Sequence, residues 1–242
     1  MTQSLSVHAE SWPIAGNFTI SRGSKSEANV VVATVRDGDV FGRGECVPYP
    51  RYNESVDGVT ALIESIAKDI EAGADRKTLQ QLLPPGAARN AVDCALLDLE
   101  AKRAGCRAWE IVGLPPLQPL VTAYTISLDT PENMAKAASR AVDRPLLKLK
   151  LGRDGDDDRL RAIRTAVPDK RLIIDANEAW NENNIEMLLR VCEETGIELV
   201  EQPLPADSDG ILVELDRPIP ICADESAHAL DSLDDVALRY DA

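Results

Sequence analysis

The chain has 242 residues, and its 41 Asp and Glu against 26 Lys and Arg give a formal net charge of −15. This acidic balance argues against a nucleic-acid partner, because affinity for phosphate backbones comes mainly from clustered Lys and Arg. Hydrophobic residues make up 44% of the chain, but no apolar run approaches the ~20 residues of a membrane span and the amino terminus lacks a secretory pattern, so we expect a cytoplasmic protein without a membrane partner.

The first hundred residues are predicted to combine a small antiparallel sheet with helices. A β-branched run at 29–36 (NVVVATVR) predicts a strand. Apolar residues spaced by three and four predict an amphipathic helix from an N-cap at Asn53 to about Gly73. Its apolar stripe consists of Val56, Val59, Ile63, Ile66 and Ile70. A second helix is predicted over 87–104, with Gly105 as its stop.

A proline-rich stretch at 113–119 marks the predicted domain boundary, which separates an α+β domain (1–115) from a second domain (116–242). In the second domain, strand-like runs recur about every 25 residues with helical stretches at 131–142 and 182–195 between them. This βα period is typical of a parallel sheet, and its regularity favours a (β/α) barrel of the TIM type. The alternative is an open doubly wound sheet, but no glycine-rich nucleotide loop follows any strand. The strand-like runs begin near Val121, Leu146, Arg171, Ile197 and Ile219.

Five strands are fewer than the eight of a closed barrel, which usually occupies about 250 residues. We therefore expect an α/β fold in which the barrel is incomplete and lacks its last third. Five strands would leave open sheet edges and an exposed apolar interior. On this basis we expect a truncated form whose stable folding and activity are in question.

Three consecutive predicted strands end in a carboxylate, at Asp175, Glu201 and Asp224. The carboxyl ends of parallel barrel strands meet at one mouth, where unpaired anions repel one another unless a cation joins them. All-oxygen ligation favours Mg²⁺, with Mn²⁺ as the alternative. Any one of these acids could equally be a helix N-cap or a solvated loop residue, but three in phase favour a metal site.

The second chemical pattern is the strand Leu147-Lys148-Leu149-Lys150-Leu151. Alternate strand residues share a face, so both lysines face away from the leucines. A surface edge strand would give the same alternation, but the carboxylate on the next strand favours lysines inside the barrel. A buried lysine beside another cation has a lowered pKa, as a general base at neutral pH requires. Together these parts suggest abstraction of a proton α to a metal-bound carboxylate.

These motifs resemble the enolase superfamily, in its muconate lactonizing enzyme subgroup, and are most similar to the dipeptide epimerases of the L-Ala-D/L-Glu type. The resemblance covers essentially the whole chain, including an α+β capping domain before the barrel. The motifs that carry it are SRG at 21–23, GECVPY at 44–49, YTIS at 124–127, LKLKLG at 147–152, DANEAW at 175–180, EQPL at 201–204 and ADES at 223–226.

The resemblance implies a role for each site residue. Asp175, Glu201 and Asp224 would ligate Mg²⁺. Lys150 would be the acid/base on one face of the α-carbon, and Lys148 would support it electrostatically. Arg22, on a mobile loop of the capping domain, and Thr125 would bind the substrate. Asn177 and Glu225 would orient the metal ligands.

Simpler explanations compete with two of these roles. Arg22 could be a solvated loop arginine, and Thr125 could serve packing alone. Glu178 stands where the family commonly has Gln, a departure without a clear consequence.

The resemblance implies an isomerase, namely a Mg²⁺-dependent epimerase. Its small-molecule partner would be an Ala-Glu-like dipeptide, and the chain could form a homo-oligomer. Epimerisation by two bases needs a second lysine, which the family supplies from a sixth strand beyond Ala242. We therefore expect that this length does not epimerise alone. The alternatives are a cycloisomerase, an o-succinylbenzoate synthase or an N-acylamino acid racemase on the same fold, and a non-catalytic fragment completed by another chain.

Overall fold

The computed structural model describes residues 3–152 and 154–242. This part of the chain divides into two compact units. The first unit comprises residues up to Ala15 together with Glu27–Pro119, and the second comprises Gly16–Ser26 together with Leu120–Ala242. The prediction of a single boundary at 115/116 does not include one feature of this division. The segment Gly16–Ser26 groups with the second unit although it lies near the amino terminus.

The first unit contains a three-stranded sheet in the order β1-β2-β3, whose first two strands extend into the second unit. The strands are β1 (Ser4–Ile20), β2 (Gly23–Asp37) and β3 (Val40–Cys46), and β2 pairs with β3 in antiparallel register. The predicted strand at 29–36 is thus the second half of a longer one. Gly42 and Gly44 on β3 let a helix approach closely, because a Cβ at either position would lie 2.0 Å from a backbone oxygen of that helix.

The helix that covers β3 is α4, which begins and ends where the sequence predicts, with Gly105 in the left-handed conformation as its C-cap. The other predicted helix is wrong in two details. Its N-cap is Ser55, whose side chain accepts from the Gly58 N–H, and it is broken at Ile66 into two helices. The helices of this unit are α1 (Val56–Ser65), α2 (Ala67–Glu71), α3 (Arg76–Leu82), α4 (Ala87–Ala104) and α5 (Ala108–Ile111).

The second unit contains a five-stranded, wholly parallel sheet in the order β4-β5-β6-β7-β8, which confirms the predicted partial-barrel architecture. Its strands are β4 (Tyr124–Ile126), β5 (Leu146–Lys150), β6 (Arg171–Asp175), β7 (Ile197–Glu201) and β8 (Ile221–Cys222). The helices are α6 (Pro131–Arg140), α7 (Asp156–Ala166), α8 (Ile185–Glu194) and α9 (Leu233–Arg239).

The second unit departs from strict βα alternation between β7 and β8, where a 3₁₀ turn (Gly210–Val213) replaces the α-helix. After α9 the backbone returns to the sheet. The Asp241 N–H donates to the Ile221 carbonyl at 2.8 Å, and the Ala223 N–H donates to the Ala242 carbonyl at 2.9 Å. The last residues therefore pair with the outer edge of β8.

The core of the second unit fixes which side of the sheet carries polar groups. Leu147, Leu149, Ile174 and Val200 are fully buried on the face that packs against the helices. Since strand residues alternate between faces, the polar residues between these positions project from the opposite face. Among the described residues, none of the helices is long and apolar enough to cross a bilayer.

Candidate active site

The register of the parallel sheet aligns the candidate site residues. Lys150 on β5 is level with Asp175 on β6, and Asp175 is level with Glu201 on β7. Asp224 lies two residues beyond the end of β8. One carboxylate oxygen from each of the three acids lies within 4.8 Å of the others. Asp175 is buried and Asp224 is exposed, so the cluster opens from the sheet end toward solvent.

Both lysines of β5 reach this cluster from the polar face. The Lys148 Nζ donates to both carboxylate oxygens of Glu201, at 2.8 and 2.6 Å, and lies 3.0 Å from Asp175 Oδ2. The Lys150 Nζ donates to Asp175 Oδ2 at 2.5 Å and to Asn177 Oδ1 at 2.9 Å. Because β5 is an interior strand between β4 and β6, the alternative of solvated lysines on a surface edge strand is excluded.

The charges of the cluster perturb one another. Burial raises the pKa of Glu201, and the nearby Asp175 carboxylate raises it further. Burial alone would also raise the pKa of Asp175, but the ammonium groups of Lys150 and Lys148 hold it below its usual value. Burial would lower the pKa of Lys148, but Asp175 and Glu201 keep it above its usual value. The lowered lysine pKa that the sequence predicts is therefore not found for Lys148, because its two acidic neighbours outweigh its burial.

The donor set fits a divalent cation. Three carboxylates face two ammonium groups, which leaves an excess negative charge in a partly buried place, where like charges repel strongly. The converging ligand atoms are all oxygens, and hard cations such as Mg²⁺ prefer oxygen ligands. The cluster can thus hold a divalent ion and orient an anionic group bound to it.

Arg22 joins the site from the turn between β1 and β2, within the second unit. Its Nη1 donates to the Asn177 carbonyl at 3.0 Å and to Glu178 Oε2 at 3.1 Å, and its Nη2 lies 2.7 Å from Glu225 Oε1. Ser21 holds the same carbonyl of Asn177 through its hydroxyl at 2.9 Å. Arg22 is therefore anchored at the site and is not the solvated loop arginine of the simpler explanation.

Asn177 and Glu225 connect Arg22 to the catalytic candidates. Asn177 adopts a left-handed backbone conformation (φ 44°), and its N–H donates to Asp175 Oδ1 at 2.9 Å. Its side-chain oxygen accepts from Lys150, and its side-chain nitrogen lies 3.4 Å from Glu225 Oε1. The other carboxylate oxygen of Glu225 is buried without a hydrogen-bond partner among the described residues. Asn177 therefore contacts Asp175 and Lys150 directly, whereas Glu225 reaches them only through Asn177.

Thr125 lies on β4 level with Lys148, so its side chain projects from the same face of the sheet. Its substrate-binding role stays a prediction.

Two neighbours of the site were missed by the sequence analysis. The ring of Phe18 lies 5.8 Å from the Lys150 Nζ, and its rarity was the only signal, since the chain has just two phenylalanines. The side-chain oxygen of Gln202 accepts from the Asp224 N–H at 2.9 Å. Gln202 follows Glu201 directly, but strand alternation gives no reason to expect its side chain beside Asp224.

Comparison with known families agrees with this geometry. Residues 2–113 match the mandelate racemase/muconate lactonizing enzyme N-terminal domain, and residues 133–239 match the enolase C-terminal domain-like family. Over 241 residues the chain is 43% identical to L-Ala-D/L-Glu epimerase of Escherichia coli K12, which covers 99% of this chain and 75% of the relative. It is 37% identical to N-acetyl-D-glutamate racemase of a Pseudoalteromonas species, over 87% of this chain and 67% of the relative.

Solved structures show the same likeness. An enolase family member from Agrobacterium tumefaciens with homology to dipeptide epimerases, solved with bound sodium and L-Ala-L-Glu, has 55% identity and a TM-score of 0.96, covering 99% of this chain and 74% of that one. A dipeptide epimerase from Cytophaga hutchinsonii, complexed with Mg and D-Ala-L-Val, has 26% identity and a TM-score of 0.91, covering 98% and 68%. The chain belongs to the mandelate racemase/muconate lactonizing enzyme group of the enolase superfamily.

Proposed function

We propose that the chain is an isomerase of amino acid derivatives that acts on dipeptides of the L-Ala-D/L-Glu type. In this proposal it removes the proton α to the dipeptide's terminal carboxylate. The observation that carries the proposal is the direct hydrogen bond between Lys150, the candidate base, and Asp175, a member of the convergent acidic cluster. This bond brings proton transfer and cation binding together in one place.

Asp175, Glu201 and Asp224 would hold the divalent cation, with Mg²⁺ preferred and Mn²⁺ as the alternative. When bound, such an ion neutralises the negative charge that develops on a substrate carboxylate as the α-proton leaves. The all-oxygen donor set and the excess negative charge of the cluster support this choice. The relative from Cytophaga hutchinsonii was solved with Mg, which supports it further.

Lys150 is suited to move a proton at its Nζ. A neutral amine has two N–H hydrogens and one lone pair, and Lys150 has two acceptors, Asp175 Oδ2 and Asn177 Oδ1. Two hydrogens bound to these two acceptors would leave the lone pair directed away from both, free to accept a proton. Lys148, on the same face, keeps a positive charge beside Glu201 and so limits the repulsion between the acids and an anionic intermediate.

Arg22 would bind the side-chain carboxylate of a glutamyl residue. Its planar guanidinium presents five donors and suits carboxylate recognition. The contacts with Glu178 and Glu225 hold the guanidinium at the site before any substrate is bound. The substrate named for the Escherichia coli relative, Ala-Glu, contains such a carboxylate.

Inversion of the α-carbon by two bases requires a group on each face. Among the described residues, the lysines at the cluster are Lys148 and Lys150, and both project from β5 on one side. The second base stays a prediction. For the chain as it stands we therefore propose α-proton exchange on one face as the activity to measure.

A second candidate is racemisation of an N-acylated glutamate, which the 37% identity with N-acetyl-D-glutamate racemase favours. The substrates of the two candidates share the glutamate side chain and the α-proton. They differ only in the acyl group on the glutamate nitrogen, which is alanyl in one and acetyl in the other. Arg22 and Lys150 serve both equally, so the choice depends on groups that recognise the amino end of the substrate.

The proposal is tested by incubating the purified chain in D₂O with L-Ala-L-Glu, L-Ala-D-Glu or N-acetyl-glutamate and following the α-proton signal by NMR. We expect Mg²⁺-dependent exchange with at least one dipeptide and none with EDTA. Glu201→Gln should abolish the exchange, whereas the matched control Glu198→Gln, at an exposed position of the same strand, should retain it. Exchange with N-acetyl-glutamate alone would favour the second candidate, and exchange that is indifferent to EDTA would refute the metal site.

A further inference from the structure

A buried polar network lies beside the acidic cluster, and the proposed proton transfer does not use it. It consists of Gln202, Asp209, Ser226, Arg239 and Tyr240, and we call it the Gln202 network. Gln202 is 0% exposed and Asp209 is 1% exposed. Buried polar groups are costly unless they are fully bonded, so a network of this size needs a structural or functional reason.

Gln202 connects two of the three candidate ligands. It follows Glu201 directly, in a left-handed backbone conformation (φ 35°), and its N–H donates to the Cys222 carbonyl at 2.9 Å. Its side-chain oxygen accepts from the backbone N–H groups of Asp224, at 2.9 Å, and Ser226, at 3.0 Å. Gln202 is therefore joined to Glu201 by a peptide bond and to the backbone of Asp224 by a side-chain hydrogen bond.

Asp224 needs such a support more than the other acids do. Asp175 and Glu201 end strands and are held by the ladder of the sheet, but Asp224 lies beyond β8 and is exposed. Its backbone dihedrals (φ −131°, ψ −78°) are neither helical nor extended. The hydrogen bond from its N–H to Gln202 fixes its backbone where the sheet no longer does.

The proton directions in the network lock the Gln202 amide in one orientation. Asp209 accepts from Arg239 at 2.5 Å, and a carboxylate that is paired with a guanidinium offers only acceptor oxygens. The hydroxyls of Ser226 and Tyr240 both donate to Asp209 Oδ2 at 2.7 Å. Each hydroxyl has only one hydrogen, so each is left as an acceptor for the Gln202 Nε2, which lies 2.8 Å from both. The same nitrogen also donates to the Leu204 carbonyl at 2.9 Å, so its two hydrogens have three acceptors.

The opposite orientation of the amide fails at both ends. It would direct the NH₂ group at the Asp224 and Ser226 N–H donors and the carbonyl at hydroxyl oxygens that have no hydrogen left to give. The amide is thus fixed on one side by the Asp224 and Ser226 N–H donors. On the other side it is fixed by the Leu204 carbonyl and by the two hydroxyls that donate to Asp209.

We propose that the Gln202 network is a positioning device for the divalent cation, which keeps Asp224 in register with Glu201. Gln202, Ser226, Asp209 and Tyr240 are its positioning residues, and Tyr240 acts from outside the cluster through Gln202. The inference rests on the metal site of the proposed function. Removal of residues that orient metal ligands typically weakens metal affinity by about 10- to 100-fold.

The test is the Mg²⁺ dissociation constant measured by isothermal titration calorimetry, alongside thermal unfolding of the same samples. Tyr240→Phe removes one hydroxyl and retains the ring, and Ser226→Ala removes the other hydroxyl. Tyr124→Phe, which removes a hydroxyl from an exposed tyrosine of the second unit, is the matched control. We expect about 10-fold weaker Mg²⁺ binding in the two network variants and wild-type binding in the control.

The outcomes separate this inference from the proposed function. Unchanged Mg²⁺ affinity in a folded Tyr240→Phe or Ser226→Ala variant, even with a lowered Tm, would mean that the network is structural only and would overturn the inference. A wild-type chain that binds no Mg²⁺ would remove the proposed metal site and this inference with it. If Tyr240→Phe does not fold, Ser226→Ala decides.

Discussion

Lys150 and Asp175 are neighbours across the β5–β6 ladder, and the Nζ of the lysine lies 2.5 Å from Oδ2 of the aspartate. One bond thus links the group proposed to move a proton with a group proposed to bind a cation. The same aspartate oxygen also lies 3.0 Å from the Lys148 Nζ. The protonation of the two lysines therefore depends on the charge of Asp175, and the affinity of the acids for a cation depends on the two lysines.

The first prediction concerns the removal of Lys148. Lys148→Met leaves Glu201 and Asp175 without one of their ammonium partners, and loss of one member of a buried pair is destabilising. We expect Tm in EDTA to fall by about 5 °C. Because the variant also lacks a cation that competes for the acids, Mg²⁺ should raise its Tm more than it raises that of the wild type.

Thermal unfolding with EDTA and with excess Mg²⁺ measures both effects. Lys136→Met, at an exposed position on α6, is the matched control and should behave as the wild type does. Equal Mg²⁺-induced shifts in the wild type and Lys148→Met would contradict competition between the lysine and the ion.

The second prediction concerns substrate choice by Arg22. Without the guanidinium, a glutamyl carboxylate loses its charge-assisted hydrogen bonds, whereas an uncharged side chain loses little. We expect Arg22→Met to lower kcat/KM for α-proton exchange about 100-fold with L-Ala-L-Glu and no more than about 3-fold with L-Ala-L-Leu. The ratio between the two substrates cancels any general effect of unpairing Glu225 and Glu178.

NMR-detected exchange rates for the two dipeptides provide the comparison, with Lys25→Met as a control that removes another cation from the same segment. Equal losses for the two dipeptides would show that Arg22 supports the site without recognising the substrate side chain.

The third prediction concerns stability at alkaline pH. Burial, together with the Glu54 carboxylate, raises the pKa of the Cys46 thiol to about 11, above its ordinary value of 9.0. A group whose folded pKa is raised contributes stability that is fully present below its unfolded pKa and is lost as the pH rises through the folded one. We therefore expect the free energy of unfolding to fall between pH 9 and pH 11.

Urea denaturation across this pH range tests the assignment to Cys46. Cys46→Ala and Cys46→Val cannot titrate, so both should reduce the pH dependence to the same extent although they differ in packing volume. The part that remains is expected from Cys192, whose thiol pKa is also raised by burial. An unchanged slope in both variants would assign the alkaline loss of stability to other groups.

The arrangement of the second unit could be predicted from the sequence because its signals are local and repeated. The apolar runs recur at a constant interval, and the alternation of leucine and lysine on β5 identifies the polar face. The carboxylates Asp175 and Glu201 end their strands, so the topology alone brings them together. The end of helix α4 could be predicted because Gly105 stops it in a left-handed conformation.

Other features could not be predicted because their causes are distant or ambiguous. Strand β1 contains Pro13 and Gly16, which ordinarily count against a strand, but an edge strand tolerates them. The break at Ile66 has no glycine or proline to mark it. The Gln202 network depends on contacts between residues up to 38 positions apart, for which the sequence carries no periodic signal.

The most direct test of the account is solvent deuterium incorporation at the glutamyl α-carbon of L-Ala-L-Glu or L-Ala-D-Glu, whichever the wild type exchanges, catalysed by the Mg²⁺-loaded chain and by its Lys150→Met variant. We predict that the wild type and Lys136→Met incorporate deuterium at equal rates and that Lys150→Met is about 1,000-fold slower. The Mg²⁺ affinity of Lys150→Met should be at least that of the wild type, because it lacks an ammonium group that competes for Asp175. Incorporation by Lys150→Met at the wild-type rate would contradict the assignment of Lys150 as the base.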